Sequence, residues 1–306
     1  MKRRVRTARR ARWHPASWPA WVGLGLLHLL ARLPYPWLLR MGPWIGRLLW
    51  PLAGRRRRIA ARNIALCLPE LGAAAQQRLL RAQGHDMGLM LLEFALAWFG
   101  SDRAVAAVPV SFEGLDEVKS LLASGRGILF VGGHFSHLEL AGRLLAQQIP
   151  LAGMYREHKD PVFEQAILQA RLHYASAMFR RDELRPTLRH LKAGGTLWYA
   201  PDQDYRRGEH VFVPFFGVPA ATLTATHQLA RLSGAVVVGF FHQRLPEGGY
   251  HIRLAPPLAD FPTDDPAVDT TRVNALLEAM VREAPAQYLW VHARFKRRPP
   301  GEPPIY

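Results

Sequence analysis

From Val110 onward, short apolar runs that end in Gly or Pro alternate with stretches of helical period, and this alternation restricts the fold more than any other feature of the chain. The runs are GILFVGG (127–133), TLWYAPD (196–202) and AVVVGFF (235–241). The first, ahead of its glycines, reads as a buried-type strand. Helical stretches at 135–147, 161–175, 184–193, 222–233 and 270–284 fit between or after them, which predicts an α/β fold. A chain of 306 residues with 49% hydrophobic content can bury a sizeable core.

Upstream, Leu79, Leu80, Met87, Met90, Leu91, Phe94, Leu96 and Trp98 recur at three- and four-residue spacing, which predicts helices between Ile59 and Phe99 that cover a sheet or a membrane face. The net charge of +16 is concentrated rather than spread. Residues 1–12 hold seven Lys or Arg and no acid, and residues 55–58 are four consecutive arginines, so the body is only mildly basic. These runs flank a segment rich in Trp and Leu, 13–31, that contains no Asp, Glu, Lys or Arg. Anionic lipid headgroups account for that placement better than nucleic acid, for which no RRM, zinc-finger, KH or basic-zipper pattern is present.

A helix from Pro19 to Ala31 spans about 20 Å, against a hydrocarbon core of roughly 30 Å. It lies in the membrane plane, or it crosses if Leu33 to Leu39 extend it past Arg32. Arg32, Pro34 and Pro36, with no clean small-residue cleavage site, argue against a cleaved signal peptide. The expected organisation is a basic N-terminus and membrane anchor over 1–54, followed by a catalytic domain over 55–306. Cys67 is the single cysteine, so no intrachain disulfide forms, and a free thiol suits a domain facing the cytoplasm.

The sharpest local feature is RGILFVGGHFSHLELAGRLLA, in which a strand ends in Gly132-Gly133 and His134 follows at once, with Glu139 five residues on. In one continuous helix the two side chains would diverge. With His134 in the turn and Glu139 in the helix they converge. A neutral imidazole can then take a proton from a substrate hydroxyl while a carboxylate stabilises the imidazolium. His137 is the competing histidine, but it lies inside the helical run; a structural histidine at a strand end is the plain alternative for His134.

Two further segments carry charge beside apolar runs. WYAPDQDYRR brings Asp202, Asp204, Arg206 and Arg207 together after a strand, as a surface loop or as a phosphate- or sugar-binding loop over the site. No further ligand pattern supports a metal there. MYREHKDP places Arg156 where it could neutralise a substrate phosphate or a thioester oxyanion, or stand simply on the surface.

These features, in this order, resemble the bacterial lipid A biosynthesis acyltransferases, particularly the lauroyl-type branch. The likeness runs from LPYPWLL (33–39) through RRRRIAARNIALCLPE (55–70), GHFSHLE, YREHKDP, WYAPDQDY and VFVPFFGV to PAQYLWVHARFKRRPPGEPPIY (285–306). The resemblance implies a glycerolipid-acyltransferase-like mixed sheet flanked by helices, with an N-terminal membrane-anchoring transmembrane or in-plane helix on the bacterial inner membrane and the catalytic domain on the cytoplasmic side. It implies acyl-carrier protein as partner, its acyl thioester as co-substrate with no cofactor, and Kdo2-lipid IVA or a similar lipid as acceptor. His134 becomes the general base and Glu139 its partner; Arg156, Asp202 and Asp204 become substrate-binding residues. The sequence departs from the family pattern at Asp160-Pro161, at Gln203 and Arg206, and at Gly239, which bears on donor and acceptor detail. A related membrane acyltransferase acting on another glycolipid or a glycerophosphate is the nearest alternative, and a catalytically dead membrane scaffold a more distant one.

Overall fold

Ile128–Val131 is buried at every residue, and its side chains alternate between two separate apolar layers. Ile128 and Phe130 face one, with Leu92, Leu96, Leu140 and Leu144; Leu129 and Val131 face the other, with Ile64, Leu229, Val273 and Leu277. A strand whose successive side chains both meet helices must lie inside a three-layer α/β/α sandwich. The computed structural model describes residues 15–205 and 208–306. The basic run 1–12, along with Arg206 and Arg207, lies outside the described residues.

In chain order the helices are α1 (Trp18–Leu30), α2 (Tyr35–Leu49), α3 (Gly54–Cys67), α4 (Ala73–Phe99), α5 (Asp102–Ala106), α6 (Leu115–Ala123), α7 (Leu138–Ala146), α8 (Pro161–Leu172), α9 (Leu184–Lys192), α10 (Ala225–Ser233) and α11 (Pro266–Glu283). The strands are β1 (Val110–Glu113), β2 (Ile128–Val131), β3 (Ala152–Tyr155), β4 (Ala177–Arg180), β5 (Thr196–Tyr199), β6 (His210–Phe215), β7 (Val218–Leu223), β8 (Val236–Arg244) and β9 (Tyr250–Leu254). Seven of them form one sheet in the order β1-β9-β8-β2-β5-β3-β4. The strands from β8 to β4 are parallel, β9 runs antiparallel to β8, and β1 is parallel to β9, so the sheet is mixed. The strands and helices expected from the alternation are present, with shifted ends. α11 begins four residues earlier than expected because Asp265 accepts the Ala267 N–H and Pro266 occupies the first turn. VFVPFFGV, read only as an apolar segment, belongs to the β6–β7 hairpin, whose two-residue turn places Phe216 and Gly217 at positive φ.

The N-terminal region differs from a single anchoring helix. α1 has 13 residues and ends at Leu30, and Tyr35 starts a new helix after Pro34 instead of continuing the old one. Among the described residues no helix is long and apolar enough to cross a membrane. The transmembrane-helix expectation is therefore unsupported: the prolines divide the apolar length into two short helices. α2 is packed closely on α4, where a Cβ added to Gly88 would come within 2.1 Å of the Gly42 carbonyl oxygen. The outer faces of α1 and α2 leave Trp18, Val22, Leu26, Leu29, Trp44 and Leu48 exposed.

Candidate active site

The register of the central sheet pairs Val131 of β2 with Tyr199 of β5. Two parallel strands that stop level with one another send their loops off the same edge. His134 and Asp202, each three residues beyond that pair, meet there. Gly132 makes the first loop feasible, because a Cβ at that position would lie 2.8 Å from the Phe240 carbonyl oxygen on β8. The C-terminal segment fixes the loop further. Leu289 N–H donates to the His134 carbonyl at 2.9 Å, and Ser136 N–H donates to the Gln287 carbonyl at 2.8 Å.

Asp202 grips His134 with both oxygens: Oδ1 lies 2.5 Å from Nδ1, and Oδ2 accepts the His134 backbone N–H at 2.8 Å. The carboxylate is 1% exposed and the imidazole 27%. Burial works to lower the His134 pKa, but the charge of Asp202 and its hydrogen bond, with Glu139 adding its charge, outweigh it, so the value is raised. Burial would raise Asp202; the charge and hydrogen bonds of His134 overcome this and hold the acid at about 2. With Nδ1 committed to the carboxylate, Nε2 has no hydrogen-bond partner among the described residues. It is the nitrogen available to a substrate.

Glu139 lines the same cavity as His134 but is engaged elsewhere. It leaves the first turn of α7 toward the end of α4 and toward α8, where Arg171 holds both oxygens as an ion pair, Trp98 Nε1–H donates at 2.8 Å and Tyr174 O–H at 3.4 Å. Burial raises the Glu139 pKa, and Arg171, with the hydrogen bonds of Trp98 and Tyr174, brings it below the ordinary value. The structure thus joins His134 directly to Asp202 and lets Glu139 act on it through space. The convergence expected for His134 and Glu139 is one of a shared cavity; no hydrogen bond links them.

The other expected residues are divided. Arg156 is exposed on the rim of the His134 cavity. The Asp204 carboxylate is covered and taken up by Arg297, whose Nε–H and backbone N–H donate to it at 2.6 and 2.9 Å, which makes it a clamp on the loop instead of a group facing the cavity. His137 is fully buried, with Nε2 3.1 Å from the His242 carbonyl oxygen. Sequence reasoning missed His292, whose ring centroid lies 5.7 Å from that of His134 and whose Nε2 is 3.1 Å from Gln203 Nε2. Burial, with the His134 charge adding, lowers its pKa to about 4. Its segment enters the sequence reading only through the family resemblance, because nothing local marks a residue so far along the chain as a neighbour of His134.

The family model described as bacterial lipid A biosynthesis acyltransferase matches residues 6–297. The chain is 39% identical over 295 residues to the lipid A biosynthesis lauroyltransferase of Escherichia coli (strain K12), covering 96% of both chains. It is 38% identical to the lipid A biosynthesis palmitoleoyltransferase of the same organism, again covering 96% of both. Against the lipid A biosynthesis myristoyltransferase of that organism it is 28% identical over 301 residues, covering 94% of this chain and 90% of the relative.

Proposed function

The chain belongs to the bacterial lipid A biosynthesis acyltransferases, and on that premise we propose that it moves a lauroyl-type chain from an acyl-carrier-protein thioester to a hydroxyl of Kdo2-lipid IVA or a similar lipid. The observation that carries the mechanism is the His134–Asp202 contact, which leaves Nε2 facing an apolar cavity. Nε2 takes the proton of the acceptor hydroxyl as its oxygen attacks the thioester carbonyl. The tetrahedral intermediate collapses with cleavage of the C–S bond, and the imidazolium returns its proton to the departing thiolate. Asp202 stabilises the imidazolium and fixes the tautomer. Glu139 adds a second negative charge and anchors Arg171 at the cavity wall. Arg156, on the rim, suits the anionic groups of either substrate. The thioester supplies the activated acyl group, so no cofactor is required.

The same reading seats the protein on the cytoplasmic side of the bacterial inner membrane through α1 and α2 lying in the lipid surface. Its support is the exposed apolar face of those helices, on which Arg40 and Arg47 stand over the Trp37 and Trp44 rings, with centroid distances of 6.0 and 5.9 Å. Mass spectrometry of the lipid product tests the function. Incubation with lauroyl-carrier protein and Kdo2-lipid IVA should add one lauroyl group to the acceptor. Acylation of a glycerophosphate or another glycolipid, with Kdo2-lipid IVA untouched, would replace this acceptor.

A further inference from the structure

Two cavities, not one, meet beside His134. The first, about 280 Å³, is lined by His134, Glu139, Met154 and Met178 and has Arg156 on its rim. The second, about 430 Å³, lies between α2, α4 and the C-terminal segment and ends at His292. Phe94 and Leu289 line both, so these two side chains form the partition between them. Each space exceeds the roughly 150 Å³ that accepts a benzene ring. The second cavity is strongly apolar: Met87, Met90, Leu91 and Val291 help to line it, and among the described residues its only ionisable lining residues are Arg56 and His292.

The mechanism uses one cavity. Transfer of a fatty chain to a lipid hydroxyl nevertheless brings two sets of hydrocarbon to one imidazole, and each needs a dry place while the oxygen and the thioester carbonyl meet. The surroundings of the two cavities differ in a way that assigns them. Leu49 lines the second cavity and is 42% exposed, and Leu91, also on its wall, is 38% exposed. Trp44, Leu48 and Leu52, close to Leu49 in sequence, are exposed apolar side chains as well. An occupant can pass from lipid into this cavity without leaving an apolar surface. The first cavity instead opens past exposed Arg156, as suits a chain delivered from water on an anionic carrier.

We propose that the second cavity is an acceptor chamber that holds an acyl chain of the lipid acceptor, while the first holds the donor chain and Phe94 keeps the two apart. This assignment rests on the acyl-transfer reading above. Hydrocarbon binding of this kind changes affinity about fourfold per buried methylene, so filling either chamber should have a large and separable effect.

The test is a kinetic comparison of wild type with Met90→Trp and Leu91→Trp, which fill the second cavity and its mouth, and Met178→Trp, which fills the first. Donors are carrier-protein thioesters of ten to sixteen carbons, with Kdo2-lipid IVA in micelles as acceptor. Met90→Trp and Leu91→Trp should raise the acceptor KM tenfold or more and leave the preferred donor length unchanged. Met178→Trp should shorten the preferred donor by two carbons or more and leave the acceptor KM unchanged. Phe94→Ala should blur the donor preference by joining the chambers. A shorter donor preference in Met90→Trp would reverse the assignment. An unchanged acceptor KM in Leu91→Trp, whose exposed position should not impair folding, would exclude a chamber there. Inactivity of the wild type with every donor would overturn the acyl-transfer reading instead, and the assignment with it.

Discussion

His134 Nδ1 lies 2.5 Å from Asp202 Oδ1, although 68 residues separate the two in sequence. The second oxygen of the same carboxylate accepts the His134 backbone N–H, so Asp202 fixes both the ring and the loop that bears it. Replacing Asp202 by Asn keeps the shape but removes the charge that favours the imidazolium. The expected result is a fall of roughly 10²- to 10⁴-fold in kcat with the acceptor KM little changed. Initial rates at saturating donor, with thermal unfolding to confirm an intact fold, check this.

The pH profile follows from the same pair. His134 accepts a proton only when neutral, and its pKa is raised above the ordinary value of about 6.5. Activity should therefore fall on the acid side with a midpoint above 6.5. In Asp202→Asn the larger influence that raises it is gone, and only the charge of Glu139 remains against burial, so the residual activity should have its acid midpoint at lower pH. A profile of kcat/KM from pH 5 to 9 for both proteins decides it.

Glu139 predicts a different signature. Its carboxylate is held by Arg171, Trp98 and Tyr174, so Arg171→Leu leaves a nearly buried charge without its cation. The expected loss is about 3 kcal/mol of stability, read as a drop in the unfolding midpoint. Activity should fall with stability in Arg171→Leu, and Glu139→Leu in the same background should restore part of the stability. Asp202→Asn should show the reverse pattern, with activity lost and stability kept.

Arg244 supplies the corresponding test for the body of the fold. It is buried between Asp86 and Glu93 of α4, bonds Glu93 through Nε–H and Nη2–H at 2.6 Å each, and exchanges backbone hydrogen bonds with the Gln287 side chain at 2.8 and 2.9 Å. Arg244→Met strands two carboxylates in the core, which should cost about 3–5 kcal/mol. Chemical denaturation in detergent measures it.

For α1 and α2, vesicle binding should be salt-sensitive and stronger on anionic lipid. Each arginine near an anionic surface contributes about 1 kcal/mol. Arg40→Gln with Arg47→Gln should therefore weaken partitioning by roughly an order of magnitude or more, and Leu48→Asp should weaken it at any salt. Flotation with anionic and neutral vesicles separates the two effects.

The parts of this architecture legible in sequence are those with local signals. The apolar run 128–131 and its Gly132-Gly133 exit announce a buried strand and a turn, which is why His134 could be singled out. Asp202 was noticed as an acid after a strand, but its role depends on β2 and β5 being neighbours in level register, and no local pattern states that. β1, β3, β4, β6, β7 and β9 have no strand assigned from sequence, β6 and β7 because their residues only form a hairpin once Phe216 and Gly217 turn the chain. Glu139 sits at a spacing that looks like a dyad, yet Arg171 on another helix claims it. His292 and the second cavity depend on the C-terminal segment returning to the His134 loop, a long-range contact that periodicity does not carry.

The most direct test of the central claim is the transfer rate from lauroyl-carrier protein to Kdo2-lipid IVA, measured side by side for wild type, His134→Ala and Asp202→Asn in detergent micelles, each shown to be folded. Rapid product formation by wild type, with losses of at least roughly a hundredfold in both variants, is the result expected if His134 and Asp202 act as one base. Undiminished transfer by Asp202→Asn would contradict it.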